Sequence, residues 1–372
     1  MGNFKRFAVI MAGGSGERFW PLSRQHRPKQ LLKLTRPDKS LLAEAVARVE
    51  PLFGKENVYI ATGRHLVDAL RDADIGVPDE NILAEPCKRN TAGCLCYVAA
   101  KLYARADTSP DQTSMAVLTA DHQIEDTGKF REALDVSLSA AEQNDALVTI
   151  GIRPTRAATG YGYIEMNSQE EPAAGSDSAN PVFPVVRFLE KPDRETAQRF
   201  LATGHYLWNS GMFFWRLNTF RDKLAQANPE MVSILDNMAE AFRNGDREKA
   251  DAYFESLENI SIDYALMEKI RELLVTPASF QWDDVGSWDA LDRTFPHDEN
   301  ENVTVGHPVV IDSERCIVYN EPGAEDMAVS VVGMNDVVVV VSRDGVLVVP
   351  KDNAQDVKKA VEELRKRNAK QL

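Results

Sequence analysis

The first 150 residues alternate between short apolar runs and longer segments in which apolar residues recur every three or four positions. The short runs have the length and β-branched character of buried strands, and the longer segments have the spacing of amphipathic helices. The runs predict strands at 7–11, 57–62, 82–85, 115–119 and 146–152. The periodic segments predict helices at 40–53, 65–71, 91–106 and 130–143. This alternation predicts an α/β fold with a parallel, doubly wound sheet.

The pattern changes near residue 295. Before that point it predicts strands at 185–189 and 206–215, a short strand just before Trp282, helices at 194–202 and 263–271, and an exposed loop at 168–181. Further helices are expected to fill 217–244. After it come valine-rich strands at 309–311, 328–332, 336–341 and 346–349, and a charged helix at 354–367. Because 372 residues are many for one core, we expect a large domain over 1–295 and a small C-terminal β domain with a terminal helix over 296–372.

Composition removes several classes of function. A net charge of −14 disfavours binding to nucleic acid or to an anionic membrane surface. No apolar run approaches the roughly 20 residues of a membrane span, and the N-terminus lacks a signal-peptide pattern. The four cysteines contain no C-x-x-C spacing, so we expect free thiols in a reducing cytoplasm. An acidic protein of this kind must hold anionic substrates with local cations and a metal.

The first strand ends in a glycine-rich turn, Ala12-Gly13-Gly14-Ser15-Gly16, and four cations follow at Arg18, Arg24, Arg27 and Lys29. Glycines let a backbone approach a ligand closely and aim several N–H groups at one anion. The turn is not a P-loop, because Gly16 is not followed by Lys-Ser/Thr, and the dinucleotide fingerprint fails at Phe19. The alternative is a surface turn with solvated charges. We interpret the segment as a polyphosphate cradle.

Two carboxylates follow other predicted strands. Glu85 ends the strand at 82–85, and Asp121 comes just after the strand at 115–119. Ligands of doubly wound sheets bind at the carboxyl ends of the strands, so the glycine turn, Glu85 and Asp121 should share one edge of the sheet. A helix N-cap is the alternative role for Asp121.

The motif Gly-Gly-x-Gly-x-Arg-x-x-Pro-Leu-Ser, followed by Pro28-Lys29-Gln30, resembles the signature of sugar-1-phosphate nucleotidyltransferases, and most closely their mannose-1-phosphate guanylyltransferase branch. The resemblance spans about residues 6–295 in five ordered motifs and continues more loosely through 331–349. It implies a Rossmann-like, doubly wound mixed sheet of the glycosyltransferase-A type with a small C-terminal β domain. It also implies a reaction in which a sugar phosphate attacks the α-phosphorus of a nucleoside triphosphate and pyrophosphate leaves.

Such a reaction is promoted mainly by positioning and charge neutralisation. Arg18 offers a guanidinium fork and Lys29 a point charge for the phosphates, and the resemblance gives both this role. It implies that Asp121 and Asp284 hold Mg²⁺, with the adjacent Asp283 kept as an open alternative. The expected catalytic residues are Arg18, Lys29 and Asp121. The expected nucleotide-binding residues are Ala12, Gly13, Gly14, Ser15, Gly16, Glu85, Arg89, Asn90 and Thr91.

The sugar phosphate is expected at three further motifs that match the family in order. They supply Gly162, Tyr163, Glu190, Lys191, Asn209, Ser210 and Gly211. Glu190 and Asn209 offer partners for sugar hydroxyls, and Lys191 offers a charge for the sugar's phosphate. The base loop, residues 85–92, departs from the family text just afterwards, because Gly93-Cys94 stands where Pro-Ala is common. Arg89 and Asn90 are assigned equally to shaping this loop and to touching the base.

We therefore expect an enzyme that makes GDP-mannose from GTP and mannose 1-phosphate. Two alternatives stay open: the same chemistry with another base or hexose, such as dTTP with glucose 1-phosphate, and a non-catalytic regulatory relative. The C-terminal β domain is either a homodimer surface or an internal core. Longer relatives append a metal-binding isomerase domain; here His307 is the only histidine after residue 300, so no isomerase activity is expected.

Overall fold

The computed structural model describes residues 4–36, 38–73, 75–324 and 326–372. Its first eight strands and four helices are β1 (Lys5–Met11), α1 (Leu41–Phe53), β2 (Val58–Gly63), α2 (Val67–Asp72), β3 (Ile82–Glu85), α3 (Asn90–Tyr103), β4 (Thr113–Thr119), β5 (Gln123–Ile124), α4 (Thr127–Gln143), β6 (Leu147–Ile152), β7 (Tyr163–Met166) and β8 (Phe183–Leu189). The middle of the chain forms α5 (Arg194–Thr203), β9 (Tyr206–Arg216), α6 (Leu217–Ala227), α7 (Pro229–Arg243), α8 (Arg247–Glu255), β10 (Leu273–Pro277), β11 (Trp282–Asp283) and α9 (Leu291–Thr294). The last part forms β12 (Val303–Val305), β13 (Val309–Ile311), β14 (Ile317–Asn320), β15 (Ser330–Val332), β16 (Val337–Val341), β17 (Val346–Pro350) and α10 (Val357–Lys366).

The main sheet has the strand order β3-β2-β1-β4-β9-β6-β10-β8-β7. Strands β1 to β4 are mutually parallel, as the alternating pattern predicts. The sheet is nevertheless mixed, because β9 runs antiparallel to both β4 and β6. The predicted mixed α/β class is thus confirmed. Since β1, β3 and β4 are parallel, their carboxyl ends lie at the same edge of this sheet.

Most predicted elements are present with ends shifted by a few residues. Ser40 accepts a hydrogen bond from the Ala43 amide at 3.2 Å, as expected of a residue at the start of α1. The predicted helix at 263–271 is wrong in extent, because only one π-helical turn, Asp263–Met267, forms there. The pattern also missed α8 and the strands β5, β7, β12 and β14. These strands are only two to four residues long, so they carry too little periodicity to stand out.

The chain divides into two compact units that are each assembled from separate stretches. The first unit comprises Met1–Ala12, Ala45–Thr119 and Ile124–Trp282. Its core fills one side of the main sheet with the buried α3 and with α6 and α7, which pack around Trp215 and Phe254. The start of α3 and the ends of β8 and β9 belong to this unit.

The second unit comprises Gly13–Glu44, Ala120–Gln123 and Asp283–Leu372. At its centre the Trp288 ring lies 5.0 Å from the Phe19 ring and 5.4 Å from the Tyr319 ring, between centroids. The Trp288 indole N–H also donates to the Trp20 carbonyl at 3.0 Å. The segment after the glycine turn therefore packs in one core with the C-terminal strands. The predicted boundary between 295 and 296 stays a prediction.

All four cysteines are free, and Cys94, Cys96 and Cys316 are buried. Burial raises the pKa of the Cys94 and Cys96 thiols, so both remain protonated at neutral pH. Within the described ranges, no helix combines the length and apolarity that crossing a membrane requires.

Candidate active site

The glycine turn leaves β1 with its amides exposed. The Ala12 carbonyl accepts from the Thr62 hydroxyl at 2.9 Å, which fixes the point where the turn begins. Among the residues that the structure describes, no group accepts a hydrogen bond from the amides of Gly13, Gly14 or Ser15. A Cβ built on Gly13 or Gly14 meets nothing within 4 Å. The turn thus offers three adjacent N–H donors beside open space, which suits an anion.

Gly16 is required for a different reason. Its φ is +63°, and a Cβ there would overlap the Cβ of Lys29. Its carbonyl accepts from the Ser23 hydroxyl at 2.7 Å and from the Phe19 amide at 2.8 Å. Only glycine permits both this backbone conformation and this close approach, so Gly16 brings the turn against Lys29.

Lys29 joins the two aspartates that were predicted to hold a metal. Its ammonium donates to Asp121 Oδ2 at 2.8 Å and to the Asp284 carbonyl at 2.9 Å. The side chain is only 6% exposed and its charge lies over the Phe19 ring, 5.5 Å from the centroid. Asp121 and Asp284 are far apart in sequence, yet both contact one buried cation.

The surroundings of Asp121 keep it ionised. Burial alone would raise the pKa of this carboxyl, but the Lys29 ammonium and His122 together lower it below its ordinary value. About a third of the side chain, 37%, is accessible to solvent. Asp121 therefore presents a negative charge to an incoming ligand while Lys29 balances it from behind.

The neighbouring Asp283 is committed elsewhere. Its carboxylate accepts from Arg293 Nε at 2.7 Å and from the Val285 amide at 2.8 Å. Val285 has a φ of +45°, which a β-branched residue rarely adopts, so the backbone beside Asp284 is strained. The Asp283 carboxylate is thus held by two groups of the protein itself.

Arg18 lies in the turn Glu17–Phe19 and is exposed. Its guanidinium donates one bond to the Gly286 carbonyl at 3.3 Å, two residues beyond Asp284. In the described chain it contacts no carboxylate within 4 Å. Its remaining N–H groups are therefore available to phosphate oxygens.

No three metal-binding side chains of the described residues form a cluster. Mg²⁺ does not need one, since it commonly uses one or two carboxylates and takes its other oxygens from substrate and water. The carboxylates of Asp121 and Asp284 offer the hard oxygen atoms that Mg²⁺ prefers, and Lys29 keeps Asp121 ionised, so the chemistry of this pair fits Mg²⁺.

In the first unit, four of the residues predicted for the sugar lie together. Glu190 forms an ion pair with the adjacent Lys191, and Lys191 has a φ of +45°. A Cβ on Gly162 would lie 2.6 Å from Glu190 Oε2. The backbone N–H of Asn209 donates to the Gly162 carbonyl at 2.8 Å. Gly162 is thus a glycine because the Glu190 carboxylate approaches its backbone.

Gly211 belongs to the same cluster through its amide, which donates to Asn209 Oδ1 at 3.1 Å. The side chains of Tyr163 and Ser210 do not. Tyr163 is fully buried and its hydroxyl donates to the Ala158 carbonyl at 2.9 Å, while the Ser210 hydroxyl donates to the Ile150 carbonyl at 2.6 Å. Both side chains therefore stabilise the sheet behind the cluster.

The predicted base loop is held mainly by its own side chains. Arg89 donates through two nitrogens to the Glu255 carbonyl, and Asn90, at φ +58°, accepts from the Thr91 amide at 2.8 Å. A Cβ on Gly93 would lie 2.5 Å from the Arg89 Cβ, which explains glycine there. Arg89 and Asn90 thus shape the loop, as one of the two interpretations expected.

Glu85 ends β3, and burial raises the pKa of its carboxyl while a hydrogen bond with Cys94 opposes the rise. Cys94, which stands where alanine is common in the family, therefore contacts Glu85, a predicted nucleotide-binding residue.

Asp263 was missed by the sequence analysis. Its carboxylate accepts from Asn209 Nδ2 at 3.0 Å, within the Glu190 cluster. In sequence it is a lone aspartate at the start of a predicted helix, where a capping role is the usual expectation.

Comparison with known proteins adds independent findings. Residues 7–301 match the family model described as nucleotidyl transferase, and residues 306–364 match a MannoseP isomerase/GMP-like β-helix domain. The chain is 38% identical to a mannose-1-phosphate guanylyltransferase of Klebsiella pneumoniae, covering 96% of this chain and 73% of that relative. It is 37% identical to the alginate biosynthesis protein AlgA of Pseudomonas aeruginosa, covering 96% and 71%. A crystal structure described as mannose-1-phosphate geranyltransferase from Thermus thermophilus matches with a TM-score of 0.83 at 35% identity, covering 97% of this chain and 99% of that chain.

Proposed function

Because the chain belongs to the nucleotidyl transferase family, among its mannose-1-phosphate guanylyltransferases, we propose that it transfers the guanylyl group of GTP to mannose 1-phosphate. The products are GDP-mannose and pyrophosphate. The observation that carries the proposal is the Lys29 ammonium, which contacts both Asp121 and Asp284 beneath the glycine turn.

In this mechanism the chain neutralises charge as two anionic esters approach. The free amides of the glycine turn bind the triphosphate, and Arg18 forks onto its oxygens. Lys29 is already fixed by two hydrogen bonds, so no reorganisation is needed when charge develops at the α-phosphate. The sugar phosphate oxygen forms the new P–O bond as the bond to pyrophosphate breaks.

Asp121 and Asp284 are the residues that would hold Mg²⁺. When bound, the ion supplies charge neutralisation for the phosphates beyond what two basic side chains provide. The ionised state of Asp121 supports this role, because a protonated carboxyl is a poor ligand.

We assign the sugar to the Glu190 cluster, whose carboxylate and Asn209 amide are the groups a hexose needs as hydrogen-bond partners. Lys191 forms an ion pair with Glu190, and we assign its ammonium to the sugar's phosphate. Glu85, partly buried at the end of β3, is the candidate acceptor for the N–H edge of guanine.

Retention of Arg18, Lys29 and both aspartates argues against a non-catalytic relative. The experiment that tests the function is pyrophosphate release from GTP, ATP, UTP and dTTP, each combined with mannose 1-phosphate or glucose 1-phosphate. We expect GTP with mannose 1-phosphate to be preferred and a chelator to abolish turnover. Preference for dTTP with glucose 1-phosphate would refute the base and sugar assignment.

We further propose that the protein acts in the cytoplasm as a homodimer formed through its C-terminal strands. Exposed apolar side chains support this surface: Val309, Ile311, Val332, Val346 and Val348, each about half exposed or more. Val348→Asp should shift the light-scattering mass toward the monomer. Val186→Asp is the matched control, because Val186 is equally exposed, at 60% against 61%, but lies in the first unit. A monomeric wild type, or equal effects of both variants, would contradict the proposal.

A further inference from the structure

The segment that carries Asp263 is fixed by the start of α3. The Ile262 amide donates to the Thr91 hydroxyl at 2.8 Å, and the Ala92 amide donates to the Ile260 carbonyl at 3.3 Å. Asp263 then opens the single π-helical turn, a geometry that often marks functional positions. Its backbone is therefore held in place before any ligand arrives.

The Asp263 carboxylate and two donors on the other side, the Gly211 amide and the Thr149 hydroxyl, set the direction in which the Asn209 carboxamide points. Asn209 Nδ2 donates to Asp263 Oδ1 at 3.0 Å, and Asn209 Oδ1 accepts from the Gly211 amide at 3.1 Å. An ionised carboxylate only accepts hydrogen bonds, and an amide N–H only donates them. The flipped carboxamide would face an acceptor with its oxygen and a donor with its NH₂, so both partners would be lost.

Resting on the proposed function, we propose that Asp263 is a positioning residue for the sugar phosphate: it fixes the Asn209 carboxamide in the one orientation that serves the hexose. Asp263 acts through Asn209, with the Glu190–Lys191 pair beside it. The carboxylates of Asp263 and Glu190 have only the Lys191 ammonium between them, so the cluster has more hydrogen-bond acceptors than donors. That surplus matches a ligand rich in hydroxyl donors.

The electrostatics agree with this geometry. Burial, followed by repulsion from Glu190, raises the pKa of Asp263 to about 6, and Lys191 opposes the rise. Glu190 and Lys191 are the charged groups that face it, and Glu268 binds the Glu190 amide at 2.9 Å. Burial and the nearby Glu190 make the ionised Asp263 unfavourable for folding. Ionisable groups with pKa values perturbed in this way are common at functional sites.

The test compares Asp263→Asn with Asp222→Asn, a change at an exposed aspartate of α6 whose cation partner is the adjacent Arg221 at 3.7 Å. Asparagine keeps the shape but removes the charge, and it can turn its NH₂ instead of its oxygen toward Asn209 Nδ2, which weakens the hold on the Asn209 carboxamide. At pH 8 we expect KM for mannose 1-phosphate to rise about tenfold. KM for GTP and kcat should stay within about twofold, since the lost interaction is with one substrate. An unchanged KM for the sugar phosphate, or equal increases for both substrates, would overturn the proposal.

A pH series separates positioning from mere structural support. Wild-type Asp263 is largely protonated at pH 5.5, so the ratio of variant to wild-type KM should fall from about ten at pH 8 to about three. The substrate's own phosphate titrates near pH 6 and affects both proteins equally. A ratio independent of pH would refute the role of the charge.

Calorimetric titration with mannose 1-phosphate and glucose 1-phosphate keeps the two proposals distinguishable. If the wild type binds a hexose 1-phosphate without turning over GTP, the proposed function fails, and weaker binding by Asp263→Asn still supports positioning. If the wild type binds neither hexose phosphate, the positioning role is overturned as well.

Discussion

Replacing Lys29 with methionine removes the cation on which the proposed chemistry depends. The structure gives the size of the effect, because the ammonium makes two hydrogen bonds, to Asp121 at 2.8 Å and to the Asp284 carbonyl at 2.9 Å. Loss of one preorganised donor to developing charge typically lowers kcat by about 10²–10³. We expect Lys29→Met to lie in that range, because Asp121 then repels the phosphates without a balancing charge.

Stability should change far less than activity. The methionine side chain can remain packed against Phe19, and Asp121, 37% exposed, can be solvated when its partner is lost. A destabilisation of about 1–2 kcal/mol is expected, read from urea unfolding. Such a variant stays folded, so lost turnover reflects lost chemistry.

The assay is pyrophosphate release at saturating GTP and mannose 1-phosphate, with Lys33→Met as the control because Lys33 is exposed in the same segment. The control should match the wild type within about twofold. A Lys29→Met protein that kept kcat within about threefold of the wild type would refute the reasoning, whatever its stability.

Two further results are expected from stability and kinetics measured together. Gly16→Ala should destabilise the protein by about 2–4 kcal/mol, because the φ of Gly16 is +63° and the new Cβ would meet Lys29. Gly14→Ala should leave the melting temperature unchanged and raise KM for GTP about tenfold. Equal melting temperatures for the two variants would contradict this expectation. Asp263→Asn should stabilise the protein at pH 8, by at most about 3 kcal/mol, and raise its melting temperature. The pKa of Asp263 in the folded protein, about 6, exceeds its ordinary value of 3.8, so ionisation of Asp263 destabilises the wild type as pH rises from about 4 to 6. The stability gained by the variant should therefore shrink as pH falls toward 5.5. A gain that grew on acidification would contradict this reasoning.

The sequence allowed prediction of features that depend on neighbouring residues. The β1–glycine turn–cation order and the N-terminal strands and helices follow from periodicity and turn chemistry, and the structure confirms those elements. That Asp121 and Asp284 share a site was implied only by family resemblance, because a separation of 163 residues carries no local signal. Their common contact with Lys29 was not predicted. The packing of Phe19 against Trp288 is equally long-range.

Asp263 shows the limit most clearly. Nothing near it in sequence indicates that its carboxylate will orient an amide 54 residues away. The same holds for Gly162, whose lack of a side chain is explained only by the Glu190 carboxylate that approaches it. Short elements such as β12 and β14 were missed because three or four residues carry little periodicity, and pairing with neighbouring strands stabilises them.

We propose above all that this acidic chain joins GTP to mannose 1-phosphate. The most direct measurement is mass analysis of the product formed by purified protein with GTP, mannose 1-phosphate and Mg²⁺. We expect GDP-mannose and pyrophosphate in equal amounts, with neither formed by Lys29→Met at a comparable rate. Hydrolysis of GTP without a nucleotide sugar, or no product in any triphosphate and hexose phosphate combination, would contradict it.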